Sequence, residues 1–189
     1  SAMTTYHHRF HKRLLDLFIL LCAAPLALVL IGCSIVVIAL IDGIPTVFSQ
    51  TRVGLHGKPF TIYKLRTMRD NGFSQSLPTR LGRLLRATRL DELPQLLNIL
   101  NGSMSWVGPR PEQEKFVTPL LKVHPEFAAR HQVKPGITGL AQIRMPHATQ
   151  RDNMDKLPYD MAYIESANLL TDVSILFKTL FAVLQSKKP

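Results

Sequence analysis

The apolar pattern is longest between Leu14 and Ile41, 28 residues with one charge, Asp16, near the start. As a straight helix this run is about 42 Å long, against a hydrocarbon core of about 30 Å. It is too long for a signal-peptide core and lacks an A-x-A-like cleavage pattern. It either spans a bilayer or dips in and returns. Pro25, near its middle, lacks the N–H that a continuous helix uses. A kink there leaves two arms of roughly 16–24 Å each. Arg9, Lys12 and Arg13 precede the run, and Arg52, Lys58, Lys64, Arg66 and Arg69 follow it. Both ends thus carry the basic flank that marks a cytoplasmic side. These features favour re-entry, with a tilted span kinked at Pro25 as the alternative. Arg13 and Asp16 stand at i, i+3 and are expected to pair near the interface.

Beyond the run the pattern shortens. Gly43 to Gly57 holds turn signals and a short apolar stretch, Thr46-Val47-Phe48. Phe60 to Met68 begins with alternation and predicts a strand. Asn71 to Pro78 is a polar loop, and Thr79 to Arg86 predicts a short helix. On that helix Arg80, Arg83 and Arg86 lie on one side, with Leu81, Leu84 and Leu85 beside them. Glu112 to His131 shows a mixed helical pattern. Thr171 to Leu184 predicts a helix capped by Thr171. Its apolar face is Val173, Leu176, Phe177, Leu180, Phe181 and Leu184, and packing on the core is the ordinary outcome for such a face.

The segment Thr88 to Leu97, T-R-L-D-E-L-P-Q-L-L, carries the candidate chemistry. Leu93, Leu96, Leu97 and Leu100 fall at helical spacing, with Pro94 tolerated in a first turn and Asn101-Gly102 as a stop. Asp91 and Glu92 therefore sit at a helix N-terminus. From Gly43 to Leu90 there are nine Lys/Arg and one acid, Asp70. A carboxylate in such surroundings stays ionised, as a nucleophile or metal ligand must. An isolated D-E-L-P would ordinarily be no more than a helix cap. The basic surroundings argue for chemistry instead. Arg110 lies between two prolines in W-V-G-P-R-P, a stiff loop suited to a phosphate clamp. The two glycines of K-P-G-I-T-G-L-A-Q, Gly136 and Gly139, would allow backbone to approach a ligand closely.

The chain has 189 residues, enough for one domain plus an appendage. Ser1-Ala2-Met3 has the look of an expression scar. A net charge of +10 points to an anionic partner. No helix-turn-helix, zinc or RNP-like signature accompanies that charge, so nucleic acid is not the expected partner. Cys22 and Cys33 form no disulfide or metal spacing and are expected to be small apolar residues in a reducing context.

Taken together, K-R-L-L-D before an apolar helix, F-T-I-Y-K-L-R-T-M, L-D-E-L-P-Q-L-L-N-I-L-N-G-S-M-S, V-G-P-R-P and K-P-G-I-T-G-L-A-Q resemble the monotopic phosphoglycosyl transferases, the bacterial sugar transferases. The similarity runs from about Lys12 to Leu184. The resemblance implies an α+β, mainly helical protein: a re-entrant membrane helix within residues 4–43, then a small catalytic domain, 44–189, with short strands and interfacial amphipathic helices. It implies transfer of a phospho-sugar from a nucleotide diphosphate sugar, by default a UDP-sugar, to polyprenyl phosphate such as undecaprenyl phosphate. UMP would be released. This is the first membrane step of glycoconjugate synthesis, of the exopolysaccharide or O-antigen kind, at the cytoplasmic face of a bacterial inner membrane. By the same resemblance Asp91 attacks the β-phosphate and forms an aspartyl phospho-sugar, and Glu92 holds Mg²⁺, with Asp91 as a further metal contact. Arg86 and Arg110 would bind substrate phosphate, with Lys64 beside them. Pro25 would break the membrane helix. Self-association as a homodimer stays open.

The chain departs from the family pattern in three places. Ala24-Pro25 stands where Ser-Pro is usual. I-R-M-P-H-A-T follows Gln142 where many relatives have V-N-G-R-N, so Arg144 or Arg151 is expected to replace the missing arginine. Ala167-Asn168 replaces an aromatic-serine pair. A non-catalytic, basic, membrane-tethered binding protein is the competing reading. It accounts for the charge and the apolar helix but not for the acid pair or P-R-P.

Overall fold

A computed structural model describes residues 10–69 and 77–185. Ser1-Ala2-Met3, Arg9, positions 70–76, Lys187 and Lys188 lie outside these residues. Helix α1 covers Phe10–Ile41. Strands β1 (Val47–Val53) and β2 (Pro59–Leu65) follow, then the two-residue pair β3 (Met68–Arg69) and β4 (Leu77–Pro78). Helix α2 is Arg80–Ala87. A 3-10 segment, Leu90–Gln95, runs directly into α3, Leu96–Leu100. Next come β5 (Ser105–Val107), α4 (Glu114–Val123), a 3-10 stretch Pro125–Gln132 and β6 (Gly136–Thr138). Helices α5 (Leu140–Arg144), α6 (Asn153–Ser166) and α7 (Leu169–Gln185) complete the order. The α+β, mainly helical expectation holds.

Strand β1 pairs antiparallel with β2 along seven residues, from Val47 opposite Leu65 to Val53 opposite Pro59. The sequence promised only Thr46-Val47-Phe48 here. The extension, Ser49 to Arg52, is polar and one-sided, and its pairing with β2 supplies the order that its own pattern lacks. The predicted strand Phe60–Met68 is split. The ladder ends at Leu65, where Arg66 turns away to donate to the carbonyls of Asp42 and Gly43. Strand β5 pairs parallel with β6. A Cβ on Gly136 or Gly139 would collide with the backbone of Gly108. These glycines are therefore required for the close contact of β6 and the residue after it with Gly108.

Helix α1 is continuous by hydrogen bonding, with Pro25 inside it. The expected helix break at Pro25 is thus not a break in secondary structure. A proline deletes one N–H and crowds one carbonyl, and 32 residues of strongly apolar helix absorb that. Leu20 and Ala27 pack with Ile62, Leu96, Ile99 and Met104. Further along, Ile38 packs with Leu65 and Leu85. Each buried aliphatic side chain of this kind contributes roughly 1.5–3 kcal/mol. Phe18, Leu21, Leu26, Leu28, Val29, Val36 and Leu40 stay exposed. Cys22 and Cys33 are free and also exposed on this helix.

Two cations of the first basic flank make internal contacts. Lys12 is buried, with Nζ 2.6 Å from Asp172 Oδ2 and 3.2 Å from the Val107 carbonyl. Tyr163 Oη donates to the other Asp172 oxygen at 2.7 Å. Arg13 does not pair with Asp16. Its guanidinium donates to the carbonyls of Ile99 and Leu100, at 2.5 and 2.7 Å. Asp16 instead accepts from Ser105 Oγ and Trp106 N. The helix end of α3 and the start of β5 offered better partners than a neighbour one turn away. The other end of α1 is tied as well: Thr79 Oγ1 donates to Asp42 Oδ2 at 2.8 Å.

The C-terminal helix begins two residues earlier than expected. Asn168 Oδ1 accepts from Thr171 N at 2.9 Å, so Asn168 does the capping and Thr171 lies inside. Asp172 and Ile175 face inward. Phe177, Leu180 and Phe181 of the predicted apolar face are 55–60 % exposed. The helix is held to the core by Asp172 and Ile175, with Leu176 of the predicted face packed beside them.

Candidate active site

The acid pair is placed by two turns. Helix α2 is capped by Thr79, whose hydroxyl accepts from Gly82 N. A side chain at Gly82 would collide with the Thr67 backbone, so α2 lies directly on the chain leaving β2. After α2 the chain reverses through Arg89, which is left-handed at φ 57. That conformation costs an ordinary residue roughly 1–2 kcal/mol. It delivers Asp91 and Glu92 into the first turn of the 3-10 segment. Neither acid is the cap; Arg89 occupies that position and makes no side-chain capping bond. The cap explanation for Asp91 therefore fails.

Glu92 is enclosed by cations from three directions. Lys64 Nζ, from β2, lies 2.9 Å from Oε1. Arg110 Nη2, from the P-R-P loop, lies 2.8 Å from the same oxygen. Arg89 Nη1 stands 4.0 Å from Oε2. Burial alone would raise the Glu92 pKa, but Arg110 and Lys64 outweigh it and hold the carboxyl down to about 2. Asp91 behaves oppositely. Burial raises it first, the Glu92 charge raises it further, and Lys64, Arg86 and Arg110 only partly offset both. The expectation that cations would hold both acids strongly ionised is corrected here: their direct contacts are spent on Glu92. Asp91 is 8 % exposed and, among the described residues, has no hydrogen-bond or ion-pair partner. Its oxygens are not among the sealed, unsatisfied atoms. A carboxylate that is raised in basicity, reachable and unpaired is a nucleophile's description.

Arg86 donates Nε to Thr67 Oγ1 at 2.8 Å and leaves its remaining guanidinium exposed. Its charge reaches Asp91. Arg110, Lys64 and Arg86 thus converge on the acid pair as the sequence suggested. Arg144 does not join them. It is exposed at the end of α5 and makes no described contact with either acid. Arg151 is exposed too, with its backbone N–H donating to Thr149.

The sequence missed what holds Arg110. Arg130 Nη2 donates to the Arg110 carbonyl at 2.8 Å, and its Nε pairs with Asp160 at 2.8 Å. Arg52 donates to the Pro111 carbonyl, and Val53 N donates to the Glu112 carbonyl. Lys156 closes the loop on Glu112 Oε1 at 2.9 Å. No local spacing links these residues, so no motif could have found them. Arg89 was legible, since it lies three residues before Glu92.

Two adjacent carboxylates, one unpaired and one whose Oε2 has Arg89 only at 4.0 Å, form a small donor set. It matches the one or two carboxylates that Mg²⁺ takes when phosphate and water supply the rest. Among the described residues no group of three or more His, Cys, Asp or Glu side chains converges.

The bacterial sugar transferase family model matches residues 7–186. The chain belongs to the bacterial sugar transferases. EpsL, an uncharacterised sugar transferase of Bacillus subtilis (strain 168), is 44% identical over 188 residues, covering 93% of this chain and 88% of its own length. An Aeromonas hydrophila protein is 39% identical over 194 residues, or 97% of this chain and 46% of its own length. It is a UDP-N-acetylgalactosamine-undecaprenyl-phosphate N-acetylgalactosaminephosphotransferase. A Caulobacter vibrioides UDP-glucose:undecaprenyl-phosphate glucose-1-phosphate transferase is 43% identical over 152 residues, 74% of this chain and 57% of its own length. The chain therefore spans about half the length of these two relatives. This sugar transferase is, by family, an enzyme of the transferase class.

Proposed function

We propose that this sugar transferase moves a phospho-sugar from a UDP-sugar to undecaprenyl phosphate through a covalent intermediate on Asp91. The observation that carries the reading is the unlike pair: Asp91 unpaired and raised, Glu92 ionised and clamped by Lys64 and Arg110. The names of the relatives support a UDP-hexose or UDP-N-acetylhexosamine as donor. In the first step an Asp91 oxygen attacks the β-phosphorus. The bond from that phosphorus to the bridging oxygen breaks, and UMP leaves with the electron pair. In the second step an oxygen of the lipid phosphate attacks the same phosphorus. The Asp91 oxygen–phosphorus bond breaks, which restores the carboxylate and gives the lipid diphosphate sugar.

Arg110 and Arg86 neutralise the donor's phosphates, so that an anionic nucleophile can approach. Bound Mg²⁺ would supply further charge neutralisation at the diphosphate, with Glu92 and Asp91 as its protein contacts. Lys64, bonded to Glu92 Oε1, would hold that carboxylate in place for the ion.

Membrane association with both ends of α1 on one face is part of the same reading. Arg13 and Lys12 tie one end of α1 to the globular part, and Asp42 ties the other. A polar domain cannot follow a spanning helix through hydrocarbon. The exposed side chains of α1, with Phe177, Leu180 and Phe181 of α7, supply an apolar surface for the bilayer.

Donor sugar nucleotide and Mg²⁺, without lipid acceptor, should release up to one UMP per enzyme in a rapid-quench experiment. The protein should gain the mass of one phospho-sugar at Asp91. Asp91→Asn and EDTA should each remove both signals. Turnover that needs both substrates bound together, with no adduct, would replace this mechanism by direct attack of the lipid phosphate.

A further inference from the structure

We propose that Arg13, Lys134 and the open side of Gly102 form a second phosphate site, separate from the acid pair, that takes the phosphate of a membrane lipid. The three groups meet at one point. A Cβ on Gly102 would lie 3.6 Å from Lys134 Nζ and 3.9 Å from the Arg13 guanidinium. Both cations therefore face the same gap, close enough for one phosphate to touch both. Gly102 is left-handed at φ +82, in the Asn101-Gly102 turn after α3, and it keeps the gap free of side chain. Arg13 and Lys134 also line, with Lys12 and Asp16, a small neighbouring cleft.

The charges in this cleft do not cancel. Lys12 is committed to Asp172. Asp16 is committed to Ser105 and Trp106 and provides the cleft's own acid. Arg13 spends part of its fork on the carbonyls that end α3. Lys134 has no hydrogen-bond or ion-pair partner among the described residues. Partial burial, with Arg13 second, lowers its pKa. An ammonium group kept beside a guanidinium without an acceptor is a half-built anion site.

The surroundings select the kind of anion. Arg13 stands at the start of α1, whose exposed apolar side chains begin with Leu14 at 46 %, and it bonds the carbonyl of Leu100, itself 58 % exposed, with Leu97 55 % exposed one turn before. A phosphate held by Arg13 and Lys134 would carry its chains over these residues onto the exposed face of α1. A soluble anion would gain nothing from such surroundings. The acid pair stands at the other end of the same structural rod. Glu92 and Leu100 are separated by roughly 13 Å of 3-10 and α rise. One phosphate cannot serve both places, so this inference stands whether or not Asp91 is a nucleophile.

The test uses the full chain in nanodiscs of phosphatidylcholine, alone or mixed equally with phosphatidylglycerol. Native mass spectrometry counts the lipid retained after release. The wild type should keep one phosphatidylglycerol in preference to phosphatidylcholine. Lys134→Gln should lower that occupancy by about tenfold, the weight of one charge-assisted hydrogen bond, and Lys134→Arg should restore it. An independent measurement needs no variant. Acetylation of wild-type Lys134 should slow in the mixed discs relative to the exposed Lys115 and Lys122. Inorganic phosphate added to phosphatidylcholine discs is the second arm. Protection by inorganic phosphate equal to that by phosphatidylglycerol would overturn the lipid assignment. Equal retention in wild type and Lys134→Gln, with no protection in either arm, would overturn the site.

Discussion

Arg130 holds the main chain of Arg110: its Nη2 donates to the Arg110 carbonyl at 2.8 Å while its Nε pairs with Asp160. The side chain of Arg110, which the proposed mechanism assigns to the donor phosphates, is thereby fixed from behind by Arg130. Arg130 and Asp160 are both buried, so the pair is rigid. Lysine at position 130 can keep the ion pair but cannot bond the carbonyl as well. Arg130→Lys should therefore stay folded, with a modest fall in Tm, and lose about tenfold in the rate of donor-only UMP release. A wild-type rate in a folded Arg130→Lys protein would reduce the pair to a stability device.

Arg86 and Arg110 should differ in kind. Each alanine variant should lose at least about tenfold in kcat/KM, the effect of a charge-assisted contact to the transition state. Arg110 also sets the state of Glu92. Its loss should raise the Glu92 pKa and shift the Mg²⁺ dependence. Arg86→Ala should shift the Mg²⁺ dependence less, because Arg86 contacts Thr67 and its charge reaches Asp91 rather than Glu92. Matching Mg²⁺ titrations for the two variants would contradict that division.

Much of this site was legible because it is local. Asp91, Glu92 and Arg86 lie within seven positions, and the stiff P-R-P loop marks Arg110 by composition. Lys64 was placed beside them by the family resemblance. The supporting frame was not legible, since Arg130–Asp160 and Lys156–Glu112 join elements through tertiary packing alone. The same blindness hid internal contacts of charge. Lys12 and Arg13 look like a headgroup flank in sequence, but pattern alone could not show that Lys12 is buried on Asp172 or that Arg13 also bonds the carbonyls ending α3. Periodicity also found the apolar stripe of α7 but could not tell which side faces the core, because the side that does carries Asp172 beside Ile175.

The topology reading has a direct check. His11 and Ile44 are both exposed and bracket α1. Cysteines introduced at each, in a background lacking Cys22 and Cys33, should resist a membrane-impermeant reagent in intact cells and react after permeabilisation. Labelling of one end only in intact cells would establish a spanning helix. The hydrogen bonds that tie Arg13 and Asp42 to the globular part could then not both exist.

The last expectation concerns His131, which sits behind the P-R-P loop. It is 7 % exposed, meets the Phe127 ring edge-on at 6.0 Å, and its Nε2 has no partner. Burial, with the Arg130 charge second, lowers its pKa from 6.5 to about 4. Between those values the unfolded chain binds a proton that the folded chain refuses. Stability must therefore fall as pH drops through this window. The full loss from this one group is about 3 kcal/mol and is complete below the folded value. His131→Leu removes the titration and fills the same space with apolar atoms. The Tm of wild type should fall relative to that of His131→Leu from pH 6.5 downward, and the gap should stop growing near pH 4. Glu92 begins to contribute only below 4.5, its ordinary value, and is present in both proteins, so it cancels in the comparison. A Tm difference that stays constant across the window would mean that His131 is protonated in the folded state, with an acceptor beside Nε2.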